Sequence, residues 1–191
     1  MARTGSTQRL PLGSPAPGFA LPDASGKIWT REDCSHGKPL VVVFACNHCP
    51  YVVHVRDVLG RLSSEFQAKG ISFVAINSND ASQYPDDAPD KMSAFAQAGG
   101  WKFPYLIDAS QAVAHAWHAA CTPDLFVVGQ DGKLLYAGQF DSTRPKSDTV
   151  ATGQDLRAAL QAILAKQPIP SPQIPSLGCN IKWKPGNEPK P

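Results

Sequence analysis

The sequence predicts an α/β domain, a central mixed β-sheet flanked by helices, and three observations carry that expectation. Pro39 to Phe44 and Ile71 to Ile76 are continuous apolar, β-branched runs, the pattern of strands buried on both faces. Between them Val52, Val55, Leu59, Leu62 and Phe66 recur at helical spacing, which makes a β-α-β unit. Further on, Asp124 to Val128 and Lys133 to Ala137 flank Gly129-Gln130-Asp131-Gly132, a hairpin signal.

The remaining elements follow in order. Residues 1–17 are polar and rich in Pro and Gly, and read as a flexible N-terminal arm. Phe19-Ala20-Leu21 and Lys27-Ile28-Trp29-Thr30 flank Asp23-Ala24-Ser25-Gly26 and predict a small N-terminal β-hairpin. Gly70 ends the helix that follows the first core strand. Asn77 to Pro89 reads as a polar loop, and about Asp90 to Gln97 as a helix stopped by Gly99-Gly100. Phe103 to Ile107 is a short strand or extended segment, Gln111 to Ala119 a helix, and Gly153 to Lys166 a final amphipathic helix. Pro168 to Pro175 holds four prolines, so the tail must be extended. The expected organisation is an arm (1–17), one domain (18–167) and a Pro-rich C-terminal tail (168–191). The order β-α-β, helices, β-hairpin, helix is that of a thioredoxin fold, with the early hairpin and the loop after the second core strand as additions.

Composition narrows the function classes. A chain of 191 residues is long enough to bury a sizeable core. A formal net charge of +2 with scattered Lys and Arg gives no nucleic-acid signature. No run of ~18 apolar residues offers a transmembrane helix. Met1 to Leu10 lacks the apolar segment of a secretory signal, so the expectation is a cytoplasmic protein with no membrane partner. Five cysteines do not make a disulfide scaffold; in a reducing compartment a Cys-x-x-Cys is catalytic or metal-binding.

That motif is Cys46-Asn47-His48-Cys49-Pro50, directly after the first core strand. Two thiols three residues apart can close a disulfide within one helical turn. A sulfur at a helix N-terminus faces unpaired N–H groups and the positive end of the dipole, which favours a thiolate. The sequence expects Cys46 to be the exposed nucleophile and Cys49, inside the helix, to resolve the mixed disulfide. Pro50 fits the first helical turn, where its missing N–H costs little. Asn47 and His48 lie between the cysteines, where an imidazole would stabilise the Cys46 thiolate. Cys121 is either an additional redox thiol or a buried apolar side chain, and Cys179 either a redox thiol or a tail residue packed by Ile181 and Trp183. Cys34 reads as structural, and His115 and His118, three apart, as packing residues before metal ligands. Trp29, Trp101, Trp117 and Trp183 read as core or tail anchors.

Several stretches together resemble the peroxiredoxin-like (AhpC/TSA) branch of the thioredoxin superfamily. They are Gly13 to Phe19, Cys46 to Pro50, Ile76-Asn77-Ser78-Asn79-Asp80, Phe103 to Leu106, Cys121-Thr122-Pro123-Asp124 and Gly178 to Trp183. The resemblance implies a cis Pro123 in a loop facing the cysteine pair, with the backbone of Thr122 turned toward substrate. It also puts His48 where protein disulfide isomerase and DsbA carry theirs, implying a reduction potential above thioredoxin's ~ −270 mV. Three positions depart from related patterns. Pro39 and Cys46 keep the peroxidase spacing, but Val43 replaces the hydroxyl residue; Pro123 stands roughly where the peroxidase arginine belongs; Leu40 replaces thioredoxin's buried carboxylate. The implied activity is thiol–disulfide oxidoreduction on a protein or low-molecular-weight disulfide. A reducing thiol system is the implied partner, with no cofactor and no bound metal. A thiol peroxidase using Cys46, and a redox-inactive or metal-holding binding module, are the alternatives.

Overall fold

The computed structural model describes residues 3–6 and 10–189. Its central sheet has the strand order β6 (Tyr105–Ile107), β5 (Ser72–Asn77), β4 (Leu40–Phe44), β8 (Asp124–Val128), β9 (Leu134–Gly138). β4, β5 and β6 run parallel, while β8 and β9 are antiparallel, so the sheet is mixed as expected. All of β4 and β5 is buried, which is why both read as unbroken apolar runs.

The pleat sends alternate β4 residues to opposite faces. Val41 and Val43 pack with Val52, Val55, Leu59, Leu62 and Phe66 of α2 (Pro50–Gln67) and with Leu156 and Leu160 of α5 (Gln154–Leu164). Leu40, Val42 and Phe44 face Ala114 of α4 (Ala112–Ala116), Trp117, and Leu21 of the hairpin β2 (Ala20–Pro22) and β3 (Ile28–Thr30). The hairpin turn is tied by Asp23, whose carboxylate accepts from Ser25 N, Lys27 N and Trp29 Nε1. The Ser25 hydroxyl, then Trp29, hold its acid down to about 2.

Three elements differ from the expectation. α1 (Arg31–Ser35) is too short for a periodic signal, yet Thr30 and Asp33 form a capping box that was readable as Thr-x-x-Asp. α4 covers only part of 111–119. Gln111 sits at φ 65° and its amide is pinned to Ser78 O and Lys182 O, while His118 at φ 52° closes the segment. Within the arm read as loose, Arg3–Gly5 forms β1, antiparallel to β10 (Leu177–Asn180) of the tail; residues 1, 2 and 7–9 lie outside the described residues. β10 also pairs with β7 (Cys121–Thr122), making a second, three-stranded sheet that abuts the first through Pro123.

α2 and the turn after α3 (Pro89–Ala98) approach so closely that a Cβ at Gly60 would lie 1.9 Å from Gly99 O. Backbone cannot yield as a flexible side chain can. Gly60→Ala is therefore expected to destabilise by about 1–3 kcal/mol, read as a lower urea midpoint at unchanged slope.

Candidate active site

The parallel pair β4–β5 ends at one edge of the sheet, and the chain leaves β4 through Ala45 and Cys46 before α2 begins. The helix starts at Pro50, in the first position, so Cys49 is its N-cap and not an interior residue. The second correction concerns access: Cys46 is only 1% exposed and Cys49 fully buried. The site is a packed cluster, not a protruding thiol.

Thr122 faces both sulfurs. Its hydroxyl lies 3.4 Å from Cys46 Sγ, and its carbonyl accepts from the Cys49 thiol at 3.1 Å. Thr122–Pro123 is cis, as the resemblance implied. One backbone edge of Thr122, however, is already taken: β10 pairs with it in the register Cys179↔Thr122.

The interaction between the two motif thiols acts on both. It lowers Cys49 and raises Cys46. Cys49 also receives hydrogen bonds from Cys179 and the Thr122 hydroxyl, which outweigh burial and hold it at about 5. Cys46 is pushed well up, first by its bond to Cys49, then by burial and by the Asp87 carboxylate. Within this interacting pair the lowering falls on Cys49 and the raising on Cys46. The reason is positional: the hydrogen-bond donors and the helix N-terminus converge on Cys49.

Asp87 is the functional residue that sequence reasoning missed. It ends a 3₁₀ turn, Pro85–Asp87, in the loop after β5, and its side chain is fully buried. Its carboxylate accepts from Asn47 N (2.7 Å), His48 N (3.3 Å), His48 Nδ1 (2.7 Å) and Asn79 Nδ2 (2.7 Å). A carboxylate surrounded by donors is acceptor-only, so Nδ1 of His48 carries the proton. His48 stacks on Tyr84 at 5.3 Å, and its Nε2 is buried with no hydrogen-bond partner among the described residues. Asn47 is held further by Asp86 O and by the hydroxyl of Tyr105. The signal for this arrangement was the loop itself: a long polar segment beside a catalytic motif seldom exists without a functional reason.

Cys46, His48 and Asp87 place potential ligand atoms within 4.8 Å of one another. The Asp87 oxygens are occupied by four N–H donors, so a cation would have to break a completed set of hydrogen bonds. The donor set fits proton handling better than metal binding.

The tail is stitched to this loop. Asn79 bridges Asp87 and the tail, its Oδ1 accepting from Lys182 N at 2.8 Å. Asp80 N donates to Lys182 O at 2.8 Å. Trp183 packs on the His115 ring at 4.4 Å, so both act as anchors. Cys121 is fully buried and raised by burial, and Cys34 is raised to about 12 in the same way, as inert buried thiols are. Beside Pro123 a groove is lined by Tyr51, His54, Phe140, Thr143 and Arg144. The Arg144 guanidinium is spent on Asp141 O, Thr143 O and Gln139 Oε1. No helix among the described residues is long and apolar enough to cross a membrane.

Comparison with known proteins gives the family and the fold. The model of the AhpC/TSA family matches residues 12–137. A Mycobacterium tuberculosis protein named "Putative peroxiredoxin" is 30% identical over 147 residues, 69% of this chain and 86% of that protein. The "Thiol-disulfide oxidoreductase ResA" of Bacillus subtilis is 24% identical over 123 residues, 64% of each chain. A crystal structure of a conserved protein from Geobacillus kaustophilus is 48% identical with a TM-score of 0.93, covering 97% of this chain and 98% of that one. Solved thioredoxin-fold chains at 18 to 23% identity superpose with TM-scores of 0.57 to 0.65, a likeness of fold alone. The fold is the thioredoxin fold.

Proposed function

This chain belongs to the AhpC/TSA family, and from that premise we propose that it is a thiol–disulfide oxidoreductase whose Cys46 and Cys49 cycle between dithiol and disulfide. The observation that carries the reading is the meeting of Cys46 and the N-cap Cys49 at Thr122, whose hydroxyl lies beside one sulfur and whose carbonyl accepts from the other.

In the oxidising direction a substrate thiolate attacks Cys46 Sγ of the disulfide. The Cys46–Cys49 bond breaks and Cys49 leaves as a thiolate. A leaving thiol of low pKa leaves faster, and Cys49 is the sulfur held at about 5. A second substrate thiolate then attacks the substrate sulfur of the mixed disulfide. Cys46 is released and takes up a proton, beside a His48 ring that Asp87 orients through Nδ1. The substrate dithiol becomes a disulfide and the pair has gained two electrons. In the reverse direction Cys46 attacks a substrate disulfide and Cys49 resolves the product. The substrate is a protein or low-molecular-weight thiol or disulfide, and a thiol partner system resets the pair. Hydrogen bonds that stabilise the reduced Cys49 thiolate make the disulfide the stronger oxidant, which supports an expected potential above ~ −270 mV.

The test is the redox equilibrium of the pair against glutathione, read by thiol trapping. A two-electron couple above that potential is expected, with the disulfide mapped to Cys46–Cys49, a linkage that Cys46→Ser cannot form. Absence of any couple, with Cys46 driven to sulfinic acid by low peroxide, would overturn the reading in favour of a thiol peroxidase. One observation favours that second reading: the Thr122 hydroxyl beside Cys46 supplies a group that Val43 cannot. Against it, the guanidinium of Arg144, beside Pro123, is held by Asp141 O, Thr143 O and Gln139 Oε1, and none of these bonds reaches Cys46.

A further inference from the structure

Cys49 has a sulfur neighbour on each side. Cys46 approaches it from the loop after β4, and Cys179 from β10, all three packed in one buried cluster. The placement of Cys179 is built into the backbone. β10 pairs with β7 so that Cys179 lies directly opposite Thr122, the residue whose carbonyl contacts Cys49 Sγ. The approach is close enough that a Cβ at Gly178 would lie 2.0 Å from Thr122 O, so only glycine fits there. Cys179 is 3% exposed and belongs to the same buried cluster as Cys46 and Cys49. The tail is fastened on the far side of this contact through Lys182, Asn79 and Asp80. A strand paired to Thr122 with a cysteine facing the redox pair is the geometry that a thiol substrate would adopt. Here the chain supplies it itself.

We propose that Cys179 is a third redox thiol, an internal partner that exchanges with the Cys46–Cys49 disulfide. The inference rests on the oxidoreductase reading above. The Cys179 thiolate attacks Cys49 Sγ. The Cys49–Cys179 bond forms, the Cys46–Cys49 bond breaks, and Cys46 leaves as a thiolate that takes up the proton lost by Cys179. No electrons enter or leave; the disulfide moves from the loop to the tail strand, and Cys46 is returned as a thiol. In the reduced protein burial and the bond to Cys49 push Cys179 up to about 12, so it waits protonated as a donor. Oxidation of Cys49 removes the second of these influences at the moment exchange becomes possible. The disulfide formed would staple β10 to the start of α2.

The experiment oxidises the full-length chain with glutathione disulfide at graded ratios, traps remaining thiols, and maps disulfide-linked peptides without reduction. In the wild type both a Cys46–Cys49 and a Cys49–Cys179 linkage are expected. In Cys46→Ser two thiols are expected to disappear together with formation of the Cys49–Cys179 peptide. A Cys46→Ser protein that leaves Cys49 as a stable glutathione adduct, with Cys179 still alkylatable, overturns the inference. So does a wild type that yields only Cys46–Cys49 at every ratio, an outcome that leaves the oxidoreductase reading intact. Failure of that reading is a separate result: a wild type in which Cys46–Cys49 never forms. Wild-type mapping does not depend on the folding of any variant.

Discussion

Asp87→Ala is expected to lower folding stability by about 3–5 kcal/mol, because it strands the donors that the buried carboxylate now satisfies. The size follows from what the carboxylate holds. Its oxygens satisfy two backbone N–H groups inside the Cys46–Cys49 segment, the ring of His48 and the amide of Asn79. Alanine leaves these half-buried donors without their acceptor, and each buried donor left stranded costs roughly 1–3 kcal/mol. Function should fall with stability. Asn79 also fastens the tail through Lys182, so one deletion loosens the cysteine segment, His48 and the tail strand together. Asp87→Asn separates the two effects. Its oxygen can keep the backbone N–H groups, while its amide donates to Nδ1 of His48, reverses the imidazole tautomer and gives up only the bond from Asn79. That variant should keep most of the stability that Ala loses, yet change the pH profile of thiol–disulfide exchange. Urea unfolding gives the first quantity and stopped-flow exchange with a small disulfide the second. A cost below 1 kcal/mol for Ala would mean that the carboxylate does not hold the loop.

The scaffold was legible because its signals are local. β4 and β5 are buried on both faces and so read as unbroken apolar runs, and α2 shows its buried stripe at Val52, Val55, Leu59, Leu62 and Phe66. The Cys-x-x-Cys and the Thr122–Pro123 loop were legible through motif resemblance. Asp87 was not, because its role arises when a loop 38 residues beyond Cys49 folds back over Asn47 and His48. Leu40 seemed to mark the loss of a buried acid. The structure supplies a buried acid from elsewhere in the chain, and it serves the first cysteine's side of the pair. The tail failed for a related reason. Its prolines predicted an extended chain, but nothing local says that Gly178 and Cys179 will pair with Thr122. The exposure of Cys46 was inferred from its position before the helix, and long-range packing overrode that inference.

A single thiolate per reduced chain should be visible by ultraviolet absorbance, titrating with a midpoint near pH 5 and belonging to Cys49. Absorbance is the right probe because both sulfurs are buried and alkylation would report access instead of ionisation. Cys49→Ser should abolish the signal below pH 8. Cys46→Ala should move the midpoint upward, since the Cys46 thiol is the strongest of the donors that stabilise the Cys49 thiolate. Linkage fixes the sign of the accompanying stability change. The folded Cys49 has lost its proton above about 5, whereas the unfolded thiol keeps it until about 9.0. Over that window the unfolded state binds more protons, so the reduced protein should become more stable as pH rises and lose the contribution as pH falls through 5. Cys46 and Cys179 are both raised, so their contributions begin to be lost only above the ordinary thiol range, outside this window. The oxidised protein has no Cys49 proton to release and should lack this dependence. The difference between the two forms is the same free energy that stabilises the reduced pair, so the stability profiles and the potential must agree. A midpoint that persists in Cys49→Ser but vanishes in Cys46→Ser would assign the thiolate to Cys46 and reverse the roles of attacking and leaving sulfur.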